Sequence, residues 1–328
     1  MEIRQLQYAL QIAEERNFSR AAEKLHIAQP SLSQQLSKLE KEIGVLLFQR
    51  TTNSVEMTYA GEVFIDRAQK IIDSLEQLKR EMSDISQTKT GKVVIGTMPI
   101  TGSHILPHVV PSFHRRYPDI ELVLTEEPST SNLIKMTAQG KNDFCLLSLP
   151  IQEPTLTYEP IVDEEIVISV PHDHPLATST LEGLTSSHRR PISLQEVRQE
   201  PFIFLKKGQG FRQITLEMCR NAGFEPRVVF ESSNMETVQS LVAAGMGISL
   251  VPSFIASAPR SEFVPAYIPI EGRPARTLVL AYRSGRYMSN AAKAFMQTIK
   301  ETVAAQFGNR VIASSPVQAL LKLEPEEE

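Results

Sequence analysis

Cysteine is scarce in this chain. Cys145 and Cys219 are the only two among 328 residues. That number excludes a disulfide framework, and the apolar neighbours of both point to buried structural thiols rather than a redox pair. No apolar run reaches the roughly 18 residues of a membrane-spanning helix. A basic excess is missing as well. The chain carries a formal charge of −4. Its first 60 residues balance seven basic side chains (Arg4, Arg16, Arg20, Lys24, Lys38, Lys41, Arg50) against seven acidic ones (Glu2, Glu14, Glu15, Glu23, Glu40, Glu42, Glu56). The electrostatic footprint usual for nucleic-acid binding is therefore absent. Any such binding is modest per unit and gains strength by joining several units. Enzyme signatures are also wanting. There is no phosphate-loop motif and no nucleophile elbow. Gly208-Gln209-Gly210-Phe211-Arg212-Gln213 lacks the third glycine of a dinucleotide turn, and Gly245-Met246-Gly247 fails likewise.

What is present begins near the N-terminus. Phe18, Ala21, Ala22 and Leu25 recur at helical spacing, as do Leu32, Leu36, Leu39 and Ile43. Ser19 is placed to cap the first helix. Pro30 suits the first turn of the second, where a missing N–H costs nothing. His26, Ile27 and Ala28 leave a turn of about three residues, as a helix-turn-helix requires. The outward positions of the second helix are Ser31, Ser33, Gln34, Gln35 and Lys38. Such side chains can bond base edges or a phosphate; they are equally the solvated face of a small bundle. Next, apolar Leu46–Phe48, polar Thr51–Ser54 and alternating Val55 and Met57 read as a β-wing with Arg50 at its base.

These segments resemble the DNA-binding head of LysR-type transcriptional regulators. The resemblance rests on Phe18, Ala21, Ala22 and Leu25, on Gln29-Pro30-Ser31-Leu32-Ser33, on Leu39-Glu40 and Gly44, and on Leu47-Phe48-Gln49-Arg50 and Thr58-Tyr59-Ala60-Gly61. It implies DNA contacts from Gln29, Pro30, Ser31, Ser33, Gln34, Lys38, Arg50, Thr51 and Asn53. Asn53 departs from the arginine frequent there.

A long helix is expected from Ala60 to about Gln87, a stretch free of proline. Phe64, Ala68, Ile71, Leu75, Leu78, Met82 and Ile85 form a heptad seam for pairing with a second copy. The alternative is an amphipathic helix packed on its own domain. Beyond the polar link Gln87–Gly91, strands and helices alternate. Strands are expected at Val93–Thr97, Ile120–Thr125, Phe144–Leu149, Glu165–Val170, Phe202–Leu205, Arg227–Phe230, Ile248–Val251 and Thr277–Tyr282. Helices are expected at His104–Tyr117, Thr130–Gln139, Arg212–Ala222, Glu236–Ala244 and Tyr287–Gln306. The class is α/β with mainly parallel sheets.

Ile105-Leu106-Pro107, Tyr117-Pro118, Asp143, His174-Pro175-Leu176, Gly208 through Arg212 and Thr237 through Pro252 extend the resemblance. They match the family's effector-binding domain, a two-lobed fold similar to periplasmic solute-binding proteins. The implied organisation is a winged helix-turn-helix over 1–60, a dimerisation helix and hinge over 61–91, an effector domain over 92–306 and an acidic tail over 307–328. Within the effector domain, lobe I is 92–163 and 268–300, and lobe II is 164–267. In open α/β lobes, ligands sit beyond strand carboxyl ends near helix N-termini. Thr97, Ile100, Thr101, Ser103, Ser129, Thr130, Gln209, Phe211 and Asn234 are placed there and suggest a small anionic effector. Ile100 stands where the family often has a hydroxyl.

Two readings compete with a regulator. His104 with His108, and His172 with His174, have spacings seen in metal pairs, but no cysteine or carboxylate cage accompanies them. A pure solute-binding protein would leave the helix-turn-helix and heptad helix without a role, and would want a secretion signal that the N-terminus does not resemble. The expectation is a cytoplasmic regulator without catalysis, metal or cofactor. Its expected partners are double-stranded promoter DNA, a small-molecule effector, RNA polymerase, and its own copies as a homodimer or homotetramer, with no membrane.

Overall fold

The computed structural model describes residues 1–50, 55–85, 91–178, 190–257 and 263–307. The chain divides into two compact units, one built from Met1–Thr88 with Gln139–Lys141 and one from Lys89–Ala138 and Asn142–Glu328.

In the first unit, α1 (Ile3–Glu15), α2 (Phe18–Lys24) and α3 (Gln29–Ile43) enclose Ile12, Phe18, Ala21, Leu32, Leu36 and Leu39. Helix α2 is capped by Asn17, whose side chain accepts from Arg20 N at 3.0 Å. The expected cap Ser19 instead lies inside the helix. Arg16, left-handed at φ 47°, turns the chain so that Asn17 reaches the extended cap position first. Pro30 occupies the first turn of α3 as expected, and Gly44, at φ 79°, closes it. Strands β1 (Phe48–Arg50) and β2 (Val55–Met57) pair antiparallel. Glu40 ties this wing to α3 by accepting from Leu47 N at 2.8 Å.

Helix α4 (Tyr59–Ile85) follows without a loop. Thr58 anchors its start: the hydroxyl donates to Leu46 O and accepts from Gly61 N. Gly61 has no room for a side chain, since a Cβ would sit 2.1 Å from Leu47 O. Gly61→Ala should therefore destabilise the unit despite better helix propensity. Overpacking costs roughly 1–3 kcal/mol, and a backbone obstacle puts this site at the upper end. Propensity returns about 1 kcal/mol, so a net loss of about 2 kcal/mol is expected in urea melts of the variant. A melt matching the parent would mean that the wing yields freely.

The second unit contains a seven-stranded sheet. Strands β3 (Gly91–Thr97), β4 (Ile120–Glu126) and β5 (Phe144–Ser148) are parallel, joined by α5 (Pro99–Arg116) and α6 (Thr130–Ala138). The remaining ladders of that sheet are antiparallel. Strand β6 (Leu156–Val170) pairs with β9 (Ser249–Pro252), β10 (Ala266–Pro269) and β11 (Ala275–Arg283), and β11 pairs with β5. The expectation of mainly parallel sheets is thus corrected. Strand β11 comes late in the chain and inserts between β5 and β6, opposite in direction to both, so its two ladders are antiparallel. Strands β7 (Pro201–Leu205) and β8 (Arg227–Ser232) form a separate parallel pair.

Two cores flank β6. Phe113, Phe144 and Phe295 centre the first, with Phe113 and Phe295 edge to face at 4.7 Å. The second gathers Phe202, Val238, Leu250 and Val251 around the far half of β6. It is covered by α8 (Gly210–Asn221) and α9 (Met235–Ala243), and α11 (Asn290–Phe307) covers the first. Helix α5 starts five residues before the expected His104, because Pro99 supplies a first-turn residue; Pro107 and Pro111 lie within it. Strand β10 and the short helices α7 (Pro175–Thr178) and α10 (Ser253–Ser257) were not expected from the pattern. Among the described residues no helix is long and apolar enough to cross a membrane. The helical turn expected at Val317–Leu323 lies outside the described residues.

Candidate functional site

Helix α3 buries Leu32, Leu36 and Leu39 and so turns Ser31, Gln34 and Lys38 outward as one exposed stripe. Gln29 and Pro30 extend it at the N-terminal end; Ser33 is half-buried. Ala28 offers no side-chain cap, leaving first-turn N–H groups open at that end. Arg50 ends β1, whereas Thr51 and Asn53 lie outside the described residues.

The seam residues of α4 divide. Phe64 packs on the unit's own core and Ala68 is buried. Leu75 is half-buried, and Ile71, Leu78, Met82 and Ile85 are exposed. The upper seam is thus used within the chain and the lower seam is bare.

A cavity of about 450 Å³ opens in the second unit, at the carboxyl ends of β3, β4 and β7 and the starts of α5 and α9. Ile100, Ser103, Gln209 and Asn234 line it, as expected. Thr97, Thr101, Ser129, Thr130 and Phe211 do not appear in its wall. Their groups serve the chain itself. Thr97 Oγ1 donates to Met98 O, and Ser129 Oγ bonds Ser131 Oγ at 3.0 Å. Thr130 clasps the opposite segment: its Oγ1 accepts from Gly210 N at 2.9 Å and its N–H donates to Gly208 O at 3.0 Å. Phe211 lies under the Arg276 guanidinium, 4.9 Å from it. Thr101 is buried.

The sequence reading missed most of the wall. Met98, Leu205, Met235, Ile255, Val264 and Tyr267 make it largely apolar. His104 also lines it, its ring tilted on Phe254 at 4.6 Å and its Nδ1 3.0 Å from Ile100 O. The charged members are Glu126 and Glu236; no lysine or arginine lines the cavity among the described residues. The expected anionic effector thus finds no cationic side chain in this wall.

Arg276 and Glu164 form a buried pair beside the cavity, with Nε donating to Oε2 at 2.8 Å. Nη1 donates to Ser148 Oγ, and the guanidinium also lies over Phe254. Nη2 comes within 2.7 Å of the same oxygen but lacks hydrogen-bond alignment. The two cysteines are buried in separate cores, Cys145 with Leu133 and Val279, and Cys219 with Phe202. Burial pushes both thiols up to about 12. Among the described residues no group of three His, Cys, Asp or Glu side chains could hold a metal.

Comparison with known proteins covers both units. Residues 3–62 match the bacterial regulatory helix-turn-helix protein family of lysR type, and residues 86–304 match the LysR substrate binding domain. The chain is 40% identical over 317 residues to the HTH-type transcriptional regulator YcgK of Bacillus subtilis, covering 94% of this chain and 96% of that one. It is 32% identical over 308 residues to the DNA-binding transcriptional dual regulator OxyR of Escherichia coli, covering 94% and 97%. Among solved structures it resembles a cysteine variant of full-length OxyR from Pseudomonas aeruginosa. That likeness has a TM-score of 0.70 and 27% identity over 93% of this chain and 95% of the other.

Proposed function

The chain belongs to the LysR family of DNA-binding transcriptional regulators, and on that premise we propose how its residues divide the work. Ser31, Ser33 and Gln34 read base edges, while Lys38, Arg50 and the wing hold phosphates. Paired α4 helices set the distance between two half-sites through Ile71, Leu75, Leu78, Met82 and Ile85. A small molecule in the 450 Å³ cavity shifts an equilibrium between two assembly shapes, as it can only by binding them unequally. The observation that carries this reading is the bare stripe of α3 in the same chain as an apolar cavity beside the Thr130 clasp.

Tetramers form through the second unit. Two sheet edges support this: β4, which exposes Leu124, and β8, which exposes Val228, Val229 and Phe230. Exposed apolar edges of this kind are templates for pairing. The protein works in the cytoplasm, engages RNA polymerase at promoters and catalyses no reaction. Several relatives are named hydrogen peroxide-inducible genes activators. That chemistry is not carried to this chain, because a thiol held near 12 supplies almost no thiolate.

Selection of bound DNA from a random library, followed by footprinting, tests the reading. The expected winner is a dyad-symmetric motif protected over several helical turns. Gln34→Ala should cost about 1–3 kcal/mol of affinity and relax one base position. An unchanged ranking of sites would remove Gln34 from base reading.

A further inference from the structure

The cavity wall is uneven in its charge, with two carboxylates and no lysine or arginine among the described residues. Gly210 N is taken by Thr130 Oγ1, Thr130 N by Gly208 O, and Glu236 N and Thr237 N by Asn234 Oδ1. The starts of α8 and α9 are in this way partly occupied by the chain's own oxygens, whereas α5 has no side-chain cap. Pro99 brings no N–H to the start of α5; the donors remaining there are the N–H groups of its next residues and the Asn234 amide.

The acceptors are another matter. Gln239 is 5% exposed, and its Oε1 has no hydrogen-bond partner among the described residues. Ser169 Oγ donates to Ser249 O at 3.3 Å and accepts from Gln239 Nε2 at 3.4 Å. Gln209 repeats the pattern: its Nε2 donates to Ser233 O at 3.0 Å, leaving its carbonyl oxygen as an acceptor. Glu126 and Glu236 add carboxylates with no ion partner among the described residues. A buried acceptor without a donor destabilises the fold, and a ligand that brings the donor relieves that cost.

We infer that the effector of this regulator is an amphipathic organic amine. Its ammonium or N–H groups meet Gln239, Gln209 and the two carboxylates, and its apolar body lies on Met98, Ile100, Met235, Ile255 and Tyr267. This rests on the cavity being the effector site.

The test uses the full-length protein and three probes that share one body: 2-phenylethylamine, its N-acetyl amide and 3-phenylpropionate. Calorimetry should give saturable binding for the amine, weaker binding for the amide and none for the acid. Glu126→Gln combined with Glu236→Gln should weaken the amine about tenfold, as expected for losing charge-assisted bonds to partly exposed groups. Amide and acid affinities should stay where they were. Gln239→Leu, which replaces the stranded acceptor with an apolar group of similar size, should weaken the amine while raising the melting temperature of the free protein. Binding of the acid as well as the amine, binding of no probe, or an amine affinity untouched by the double change would overturn the inference. The site reading fails separately, if the cavity-filling Ile100→Trp leaves the affinity of a bound probe unchanged.

Discussion

Replacing Arg276 by methionine is expected to cost the second unit about 3–5 kcal/mol, the usual penalty for stranding one member of a buried ion pair. Arg276 is 3% exposed and Glu164 6%. Without the guanidinium, the carboxylate keeps, among the described residues, only the Phe254 N–H, at 3.3 Å. The loss should depend on pH with a definite sign. Burial already pushes the Glu164 carboxyl up, against the pull of Arg276, and the variant removes that pull. A carboxyl raised in the folded state penalises folding above its folded value, and the penalty vanishes below the unfolded value near 4.5. The variant should therefore be weakest at neutral and alkaline pH and recover as the pH falls. Arg276→Met with Glu164→Leu should regain much of the loss, since apolar replacement of a whole buried pair is often neutral or stabilising. Urea titrations across pH check this. A single variant within about 1 kcal/mol of the parent at pH 8 would show that the pair is not desolvated.

Leu78→Asp with Met82→Asp should divide the dimer. Both side chains are about half exposed on a helix of 27 residues, and Ile71 and Ile85 continue the same bare face. Large apolar residues repeating along one solvent face call for a partner helix. Charges there cost the single chain little, because the side chains are already in water, but they are repelled and desolvated when two helices pair. Sedimentation should fall from the tetramer mass to that of a dimer held through the second unit. DNA affinity should fall by about 10²–10⁴, the contribution of linking two weak heads. An unaltered mass would remove the seam from dimerisation.

Some of this was legible in the residues because local physics decides it. Leu32, Leu36 and Leu39 bury one face of α3 at any docking angle, so the opposite stripe was readable. Asn17 and Ser19 are both good caps two residues apart, and only the left-handed turn at Arg16 chooses between them. Strand direction was not readable, since a period of two is the same in parallel and antiparallel pairs. The cavity was half readable. Hydroxyls near helix starts drew attention, yet Thr97, Ser129 and Thr130 spend theirs on neighbouring groups. The true wall is mainly apolar residues at element ends, which no spacing distinguishes from core. Gln239 did leave a trace: it occupies a core position of α9 in the series Met235, Val238, Gln239 and Val242. A polar residue at an apolar position of a helix is a signal worth following.

Strand β6 has a practical meaning for anyone re-engineering this regulator. It is one unbroken run of 15 residues whose first part pairs with β11 and whose last part pairs with β9 and β10. Neither of the two cores beside it is a detachable cassette. A fragment of residues 164–267 would carry Glu164 away from Arg276 and leave β11 behind. Chimeras that exchange ligand preference between relatives must graft individual cavity side chains or move residues 91–307 as a block.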